Sequence, residues 1–313
     1  MIRKNKDILI FQALNWIGSY FLYVSFLKAV SPEIFSKIAA GEVFFGAFGA
    51  FLMTWSLRRF DESPSFGSEI NGLSFRLLVL GTVAILFALF GLDFTYMAAI
   101  VPILLTPAHL PLKLGFTKHA YLLISLKLIF VPLISIIDTS RLSSIDMALI
   151  YFAPTIIYGI GIYVVYLPKF RDISHLPKPH KTKQKIKQIP LLLSHITVTI
   201  LSSLASATAI TKVVESGWIV AAIERLARSG YSFLYPHLIR KGVIGGSFSK
   251  FADGIIIGIF ALLYFYTGEY AFVILMPLPV LIDIFMTNGA GRHYKSDIFM
   301  IIIFLALIGV LNG

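Results

Sequence analysis

The chain has 313 residues, 57% of them hydrophobic and 14% charged, with a mean hydropathy of +0.84 and a formal net charge of +11. Such a composition excludes the pair of ordinary soluble domains that this length would otherwise suggest and points to a polytopic membrane protein. The absence of cysteine excludes disulfides and thiolate metal sites.

Eleven apolar spans are predicted, at residues 8–28, 37–57, 74–92, 95–112, 120–137, 147–167, 189–210, 217–238, 252–267, 270–287 and 297–312. The first lies in "MIRKNKDILIFQALNWIGSYFLYV". Its basic start resembles a signal peptide, but the long apolar run and the lack of a small-residue cleavage motif make it a retained span. Gln12, Asn15, Ser19 and Tyr23 recur at i, i+3, i+7 and i+11 and form a polar stripe on one face. The second span carries Glu42 and ends at Arg58 and Arg59, and Arg76 opens the third. These three arginines suit cytoplasmic anchoring, or the rim of a cationic cleft. The fourth span, "VPILLTPAHLPLK", is broken by prolines and contains His109. In the fifth, "YLLISLKLIFVPLIS", Lys127 sits at mid-span with no acidic residue within two turns. A buried, unpaired lysine loses its proton, so an aqueous cleft or an anionic ligand is the better explanation.

After the sixth span, residues 168–188 form a basic, Pro- and His-containing cytoplasmic linker. It is a solvated loop, with anionic lipid headgroups as an alternative partner. The seventh span repeats the polar stripe with His195, Thr199, Ser202 and Ser206. The eighth lies in "AAIERLARSGYSFLYPHLIRK" and is the most heavily charged. A charge at mid-membrane costs roughly 2.5–3.5 kcal/mol by insertion scales, so Glu224, Arg225 and Arg228 mark a function or a partner. Glu224 precedes Arg228 by four residues, the favourable order for a helical ion pair. One glutamate cannot neutralise two arginines, so this face is expected to keep net positive charge, suited to phosphate oxygens through the guanidinium fork. A structural ion pair with a snorkelling arginine is the alternative. In the proline-broken tenth span, Asp283 joins His109 as a candidate for ion coupling.

With the N-terminus cytoplasmic, the cationic residues collect on the cytoplasmic side. The outer borders hold only Lys28, Lys37, Arg141 and Lys212. The basic excess therefore reports orientation rather than nucleic acid. The two sides of the linker are also alike. Lys28, Glu42 and Arg58 on one side match Lys212, Glu224 and Arg240 on the other, and the paired stripes and proline-broken spans add to this likeness. The expected fold is all-α, with about eleven transmembrane helices in two parallel-repeat bundles around a central cleft. Residues 1–167 form a six-helix lobe, 168–188 the linker, and 189–313 a lobe of about five helices, with the C-terminus outside. No P-loop, H-E-x-x-H, G-x-S-x-G or Asp-rich motif occurs, so an enzyme is the weaker class, and no cofactor or metal is predicted.

The segments "ILIFQALNWIGSYFLYVSFLKAVSPEIFSKIAAGEVFFGAFGAFLMTWSLRR" and "WIVAAIERLARSGYSFLYPHLIRK" resemble the first two helices and the eighth helix of Wzx-type polysaccharide flippases, of the multidrug/oligosaccharidyl-lipid/polysaccharide exporter superfamily. In the second segment the likeness rests on Glu224, Arg225, Arg228, Tyr235, Pro236, His237 and Arg240, with Ile223 interrupting the pattern. The family's pattern carries at least one span more than the eleven predicted here. The resemblance implies an inner-membrane transporter that flips an undecaprenyl-diphosphate-linked oligosaccharide to the outer leaflet by alternating access, beside glycosyltransferase or polymerase machinery. Arg225, Arg228, Lys127, Glu224, Arg76 and Arg58 would line its cationic cleft. Gln12, Asn15, Ser19, His195, Thr199 and Ser202 would offer hydrogen bonds to sugar. The alternatives are a multidrug-type exporter of the same superfamily, and a non-transporting membrane partner or enzyme of glycan assembly.

Overall fold

The computed structural model describes residues 2–46, 66–91, 93–104, 117–171, 189–240 and 247–275, together with residues 306 and 309. The fold is all-α, and no strand occurs among the described residues. The helices are α1 (Ile2–Ala29), α2 (residues 32–46), α3 (Phe66–Leu89), α4 (Phe94–Met97), α5 (Ile100–Leu104), α6 (Thr117–Ile136), α7 (Ser144–Arg171), α8 (Ile189–Glu215), α9 (Trp218–Arg240), α10 (Ser247–Thr267) and α11 (Ala271–Leu275). Among the described residues, one helix is long and apolar enough to cross a membrane, Ser144–Val165 within α7, with a mean hydropathy of 1.9. Arg76–Leu89, Phe94–Leu104, Tyr121–Ile136 and Gly254–Thr267 are shorter apolar stretches.

Several predicted boundaries move for local reasons. The fourth span is not one helix. The chain turns after Met97 and restarts at Ile100, which puts Pro102 in a first turn, where its missing N–H costs no helical hydrogen bond. Asp93 caps α4 by accepting from the Thr95 backbone N–H at 2.9 Å and from its hydroxyl at 2.7 Å. At the start of α7, the Ser143 N–H and hydroxyl donate to Asp146 Oδ2 at 3.1 and 2.5 Å. The Asp146 N–H returns to Ser143 Oγ at 3.3 Å, a reciprocal capping box. Helices α8 and α9 are joined by Ser216 and Gly217. The φ of 121° at Gly217 is a conformation that side-chain-bearing residues rarely adopt, so glycine permits the reversal.

The chain folds into two compact units. One comprises Met1–Phe11 and Phe45–Gln188, the other Gln12–Phe44 and Ile189–Gly313. Residues 12–44 therefore belong with the C-terminal segment. Long polar side chains from α9 reach α1 and α2, as described below. The first four positions of the expected linker, 168–171, are the last residues of α7.

In the first unit α7 is the central helix, against which α3, α4, α5 and α6 pack. Leu80, Met97, Ile100, Leu123, Ile134, Tyr151, Phe152 and Ile162 are buried there. Phe11 and Ile124 pack together, with Tyr121 edge-on to Phe11 at 6.0 Å. Large apolar side chains elsewhere in the unit point outward: Leu89, Phe90 and Ile136 are among the most exposed. In the second unit α8 packs on α9 and α11, and α10 on α9 and α11. Phe260 and Phe272 fill the contact between α10 and α11.

The four cations expected at outer borders are each met locally. Lys37 lies 3.6 Å from Glu33, Arg141 3.1 Å from Asp138, Lys212 3.8 Å from Glu215, and Lys28 4.3 Å from the centre of the Trp218 ring.

Candidate functional site

The second unit contains a buried charged cluster built from three helices. Helix α1 runs antiparallel to α9, because partners rise along one helix as they fall along the other. Lys28 covers Trp218, Tyr23 lies under Arg225, and Trp16 donates to Ser229 Oγ at 2.7 Å. Trp16 and Tyr23 are seven residues apart and so share one face of α1, which presents a phenol ring and an indole N–H to α9. Gly230 leaves room beside the indole, where a Cβ would make ordinary contact with Trp16 at 3.6 Å. Ser229 in turn donates to the Arg225 carbonyl.

Two ion pairs form the centre. Arg228 Nε donates to Glu224 Oε1 at 2.5 Å, the pair predicted from their i, i+4 spacing. Arg225 Nη2 donates to Glu42 Oε1 of α2 at 2.7 Å, and its guanidinium lies 4.8 Å from the centre of the Tyr23 ring. Glu224 is completely buried and the Tyr23 residue is 1% exposed, whereas the Arg228 and Glu42 side chains keep 20% and 27% of their surface. Tyr23 lies within electrostatic reach of all four charges. The cluster is therefore sealed at Glu224 and Tyr23 and accessible at Arg228 and Glu42.

Glu42 corrects the expected charge. The eighth predicted span was to keep net positive charge because one carboxylate faced two arginines. A second carboxylate arrives from α2, and the four side chains are formally neutral. The sequence contained the signal, since Glu42 matches Glu224 in the repeated Lys, Glu, Arg pattern, but nothing in the spacing says that both glutamates meet the same helix. Trp16, Ser229 and Glu42 are the cluster members that sequence reasoning did not assign to a site. Tyr23 was read only as part of a stripe.

Hydrogen bonding inside the cluster is incomplete. Tyr23 Oη, Glu224 Oε2 and Arg228 Nη2 are buried polar atoms without a hydrogen-bond partner among the described residues. Leaving such an atom unsatisfied costs about 1–3 kcal/mol each. By contrast, Trp16 is satisfied through Ser229. Replacing Trp16 with phenylalanine removes that bond and is expected to cost about 1 kcal/mol, read as a lower unfolding midpoint in detergent; an unchanged midpoint would show the bond contributes nothing.

Arg76 and Lys127 fall in the first unit. Arg76 was expected at the mouth of the third span. Because α3 begins at Phe66, Arg76 is instead near its middle, 2% exposed, donating to Tyr163 Oη at 2.8 Å. Lys127 is buried on α6 and takes part in an interaction with another group. Of the polar stripes, Ser19 donates to the Asn15 carbonyl of its own helix at 2.8 Å, and Ser202 is buried on α8. Gln12 lies on α1 and His195 and Thr199 on α8, but their side chains are outside the described residues, as are Arg58, His109 and Asp283 altogether. Among the described residues, no group of three or more His, Asp or Glu side chains is placed to hold a metal ion.

Comparison with known proteins finds no matching protein family, no matching curated protein and no matching solved structure.

Proposed function

We propose that the chain is an integral membrane transporter that moves a polyprenyl-diphosphate-linked oligosaccharide from the cytoplasmic to the outer leaflet, as the Wzx-type flippases it resembles do. Two parallel-repeat bundles of about eleven spans would open alternately around their cleft. The observation that carries this reading is the Glu42–Arg225 and Glu224–Arg228 cluster, with Glu224 fully buried, within a helical unit. Charges kept away from water in a membrane helix are costly and mark pathways for polar cargo. Its balanced charge shapes the mechanism. A diphosphate that reached Arg225 or Arg228 would have to compete with carboxylates already in place, so neither arginine is a standing anion trap. Each carboxylate likewise faces a guanidinium, which argues against a multidrug-type exporter that holds cationic compounds on free acids.

The test is reconstitution of the purified chain in vesicles with a fluorescent polyprenyl-diphosphate-linked sugar in the inner leaflet. Transfer to the outer leaflet without covalent change is expected, and Arg228→Ala should abolish it while the protein still inserts. Covalent modification of the sugar would favour an enzyme of glycan assembly, and a lipid-linked sugar that stays in place would sink the transporter reading.

A further inference from the structure

The outward apolar surface of the second unit changes in a fixed order along its helices. On α1, Leu14, Ile17 and Phe21 are exposed at i, i+3 and i+7, across the helix from Trp16 and Tyr23. On α9, Ile219, Ile223 and Leu226 are exposed at i, i+4 and i+7, with buried Glu224 on the far side. On α10, Ile255 and Leu262 continue into Tyr266 on one face, and all three are exposed. These stripes close at the same end of the unit. Lys28, late in α1, covers the ring of Trp218 at the start of α9. Residues 241–246 alone separate α9 from α10, and the two helices pack together. Helix α10 therefore runs back and returns Tyr266 and Tyr270 to the level of Trp218. Trp218 is 45% exposed and Tyr266 82%. The same end carries the paired ions Glu33–Lys37 and Lys212–Glu215, and Glu269 in the α10–α11 turn.

We propose that this end of the second unit is a collar that sits in the headgroup layer of a phospholipid bilayer, and that zwitterionic lipid is its partner. The inference rests on the membrane reading above and adds the level at which the unit meets the bilayer. Tryptophan and tyrosine join an apolar body to a polar tip, so they collect where acyl chains give way to water. Lysine reaches the same level by laying its stem along apolar surface. A protein partner needs one complementary patch. A bilayer needs aliphatic surface followed by polar-tipped residues on several helices at one level, and α1, α9 and α10 all show that order. Charge decides the class of lipid. Lys28, Lys37 and Lys212 are balanced by Glu33, Glu215 and Glu269, so the collar has no net charge to concentrate anionic headgroups. The collar also fixes the depth of the charged cluster. At about 1.5 Å of rise per residue, Arg225 lies about 10 Å below Trp218, inside one leaflet of a hydrocarbon core about 30 Å thick.

The experiment uses the full chain, which has no native cysteine, with a nitroxide attached at one exposed position in turn: Ile219→Cys, Leu226→Cys, Leu262→Cys or Tyr266→Cys. Each labelled protein is reconstituted in phosphatidylcholine vesicles. Label depth is read from collisions with oxygen, which concentrates among acyl chains, and with a water-soluble nickel chelate. Labels at 219 and 266 are expected near the headgroups, with the label at 262 deeper than that at 266. The label at 226 is expected about 10 Å deeper than that at 219. Replacing part of the lipid with phosphatidylglycerol, or adding salt, is expected to leave these depths unchanged. Equal nickel access at 219 and 226 overturns the collar. Protection of both labels from both reagents also overturns it and assigns the face to a protein partner. Labels that move deeper with phosphatidylglycerol overturn it too, because an anionic lipid is then the partner. Transfer of lipid-linked sugar is measured in the same vesicles. The depth gradient without transfer keeps the collar and sinks the transporter, and transfer without the gradient does the reverse.

Discussion

Glu224→Ala is expected to lower stability by about 3–5 kcal/mol, because it removes one partner of a largely buried pair and leaves the Arg228 guanidinium without its carboxylate. Glu224 has no exposure at all, so water cannot replace it, and Arg228 is only 20% exposed. The i, i+4 spacing by itself would stabilise an exposed helix by only about 0.2–0.5 kcal/mol, so burial and not helical geometry sets the size of the effect. Converting both partners, Glu224→Ala with Arg228→Met, removes the charge that the single change strands and is expected to recover most of the loss. Thermal unfolding in detergent reads both variants. A single variant that melts with the wild type, or a double variant no better than the single one, contradicts the burial argument. The double variant also separates structure from function. If it folds and supports the proposed transport, the ion pair is scaffold only.

The second large effect is across helices. Glu42→Arg would set three guanidiniums against Glu224, and Arg225→Glu would set three carboxylates against Arg228, so each reversal alone is expected to be severely destabilising. Combining the two restores the balance and should reveal a favourable coupling of about 1–3 kcal/mol. Recovery will be incomplete. The 4.8 Å stacking of Arg225 on Tyr23 is lost when the cation moves to α2, and such a contact contributes about 0.5–2 kcal/mol. Additive single and double effects would show that Glu42 and Arg225 do not act as a pair.

What was legible in the sequence follows from local rules. The i, i+4 order of Glu224 and Arg228 depends only on neighbours close in the chain. Arg76 shows the limit. Its reading as a helix-end anchor depended on a boundary, and once α3 began at Phe66 the same residue lay buried against Tyr163. Helix starts are set by caps and by competition for backbone hydrogen bonds, which a hydropathy window does not weigh.

By itself the sequence determined the apolar, all-helical character of this chain and the presence of costly charges on one helix, because composition and helical periodicity are properties of each segment alone. Only the tertiary structure decided the sign of the field those charges create. Arg225 and Glu42 are 183 residues apart, and the α1–α2 segment that brings them together folds with the C-terminal unit instead of with the part of the chain that follows it. Electrostatic energy depends on distance in space, and no spacing rule within a single helix reaches across that fold.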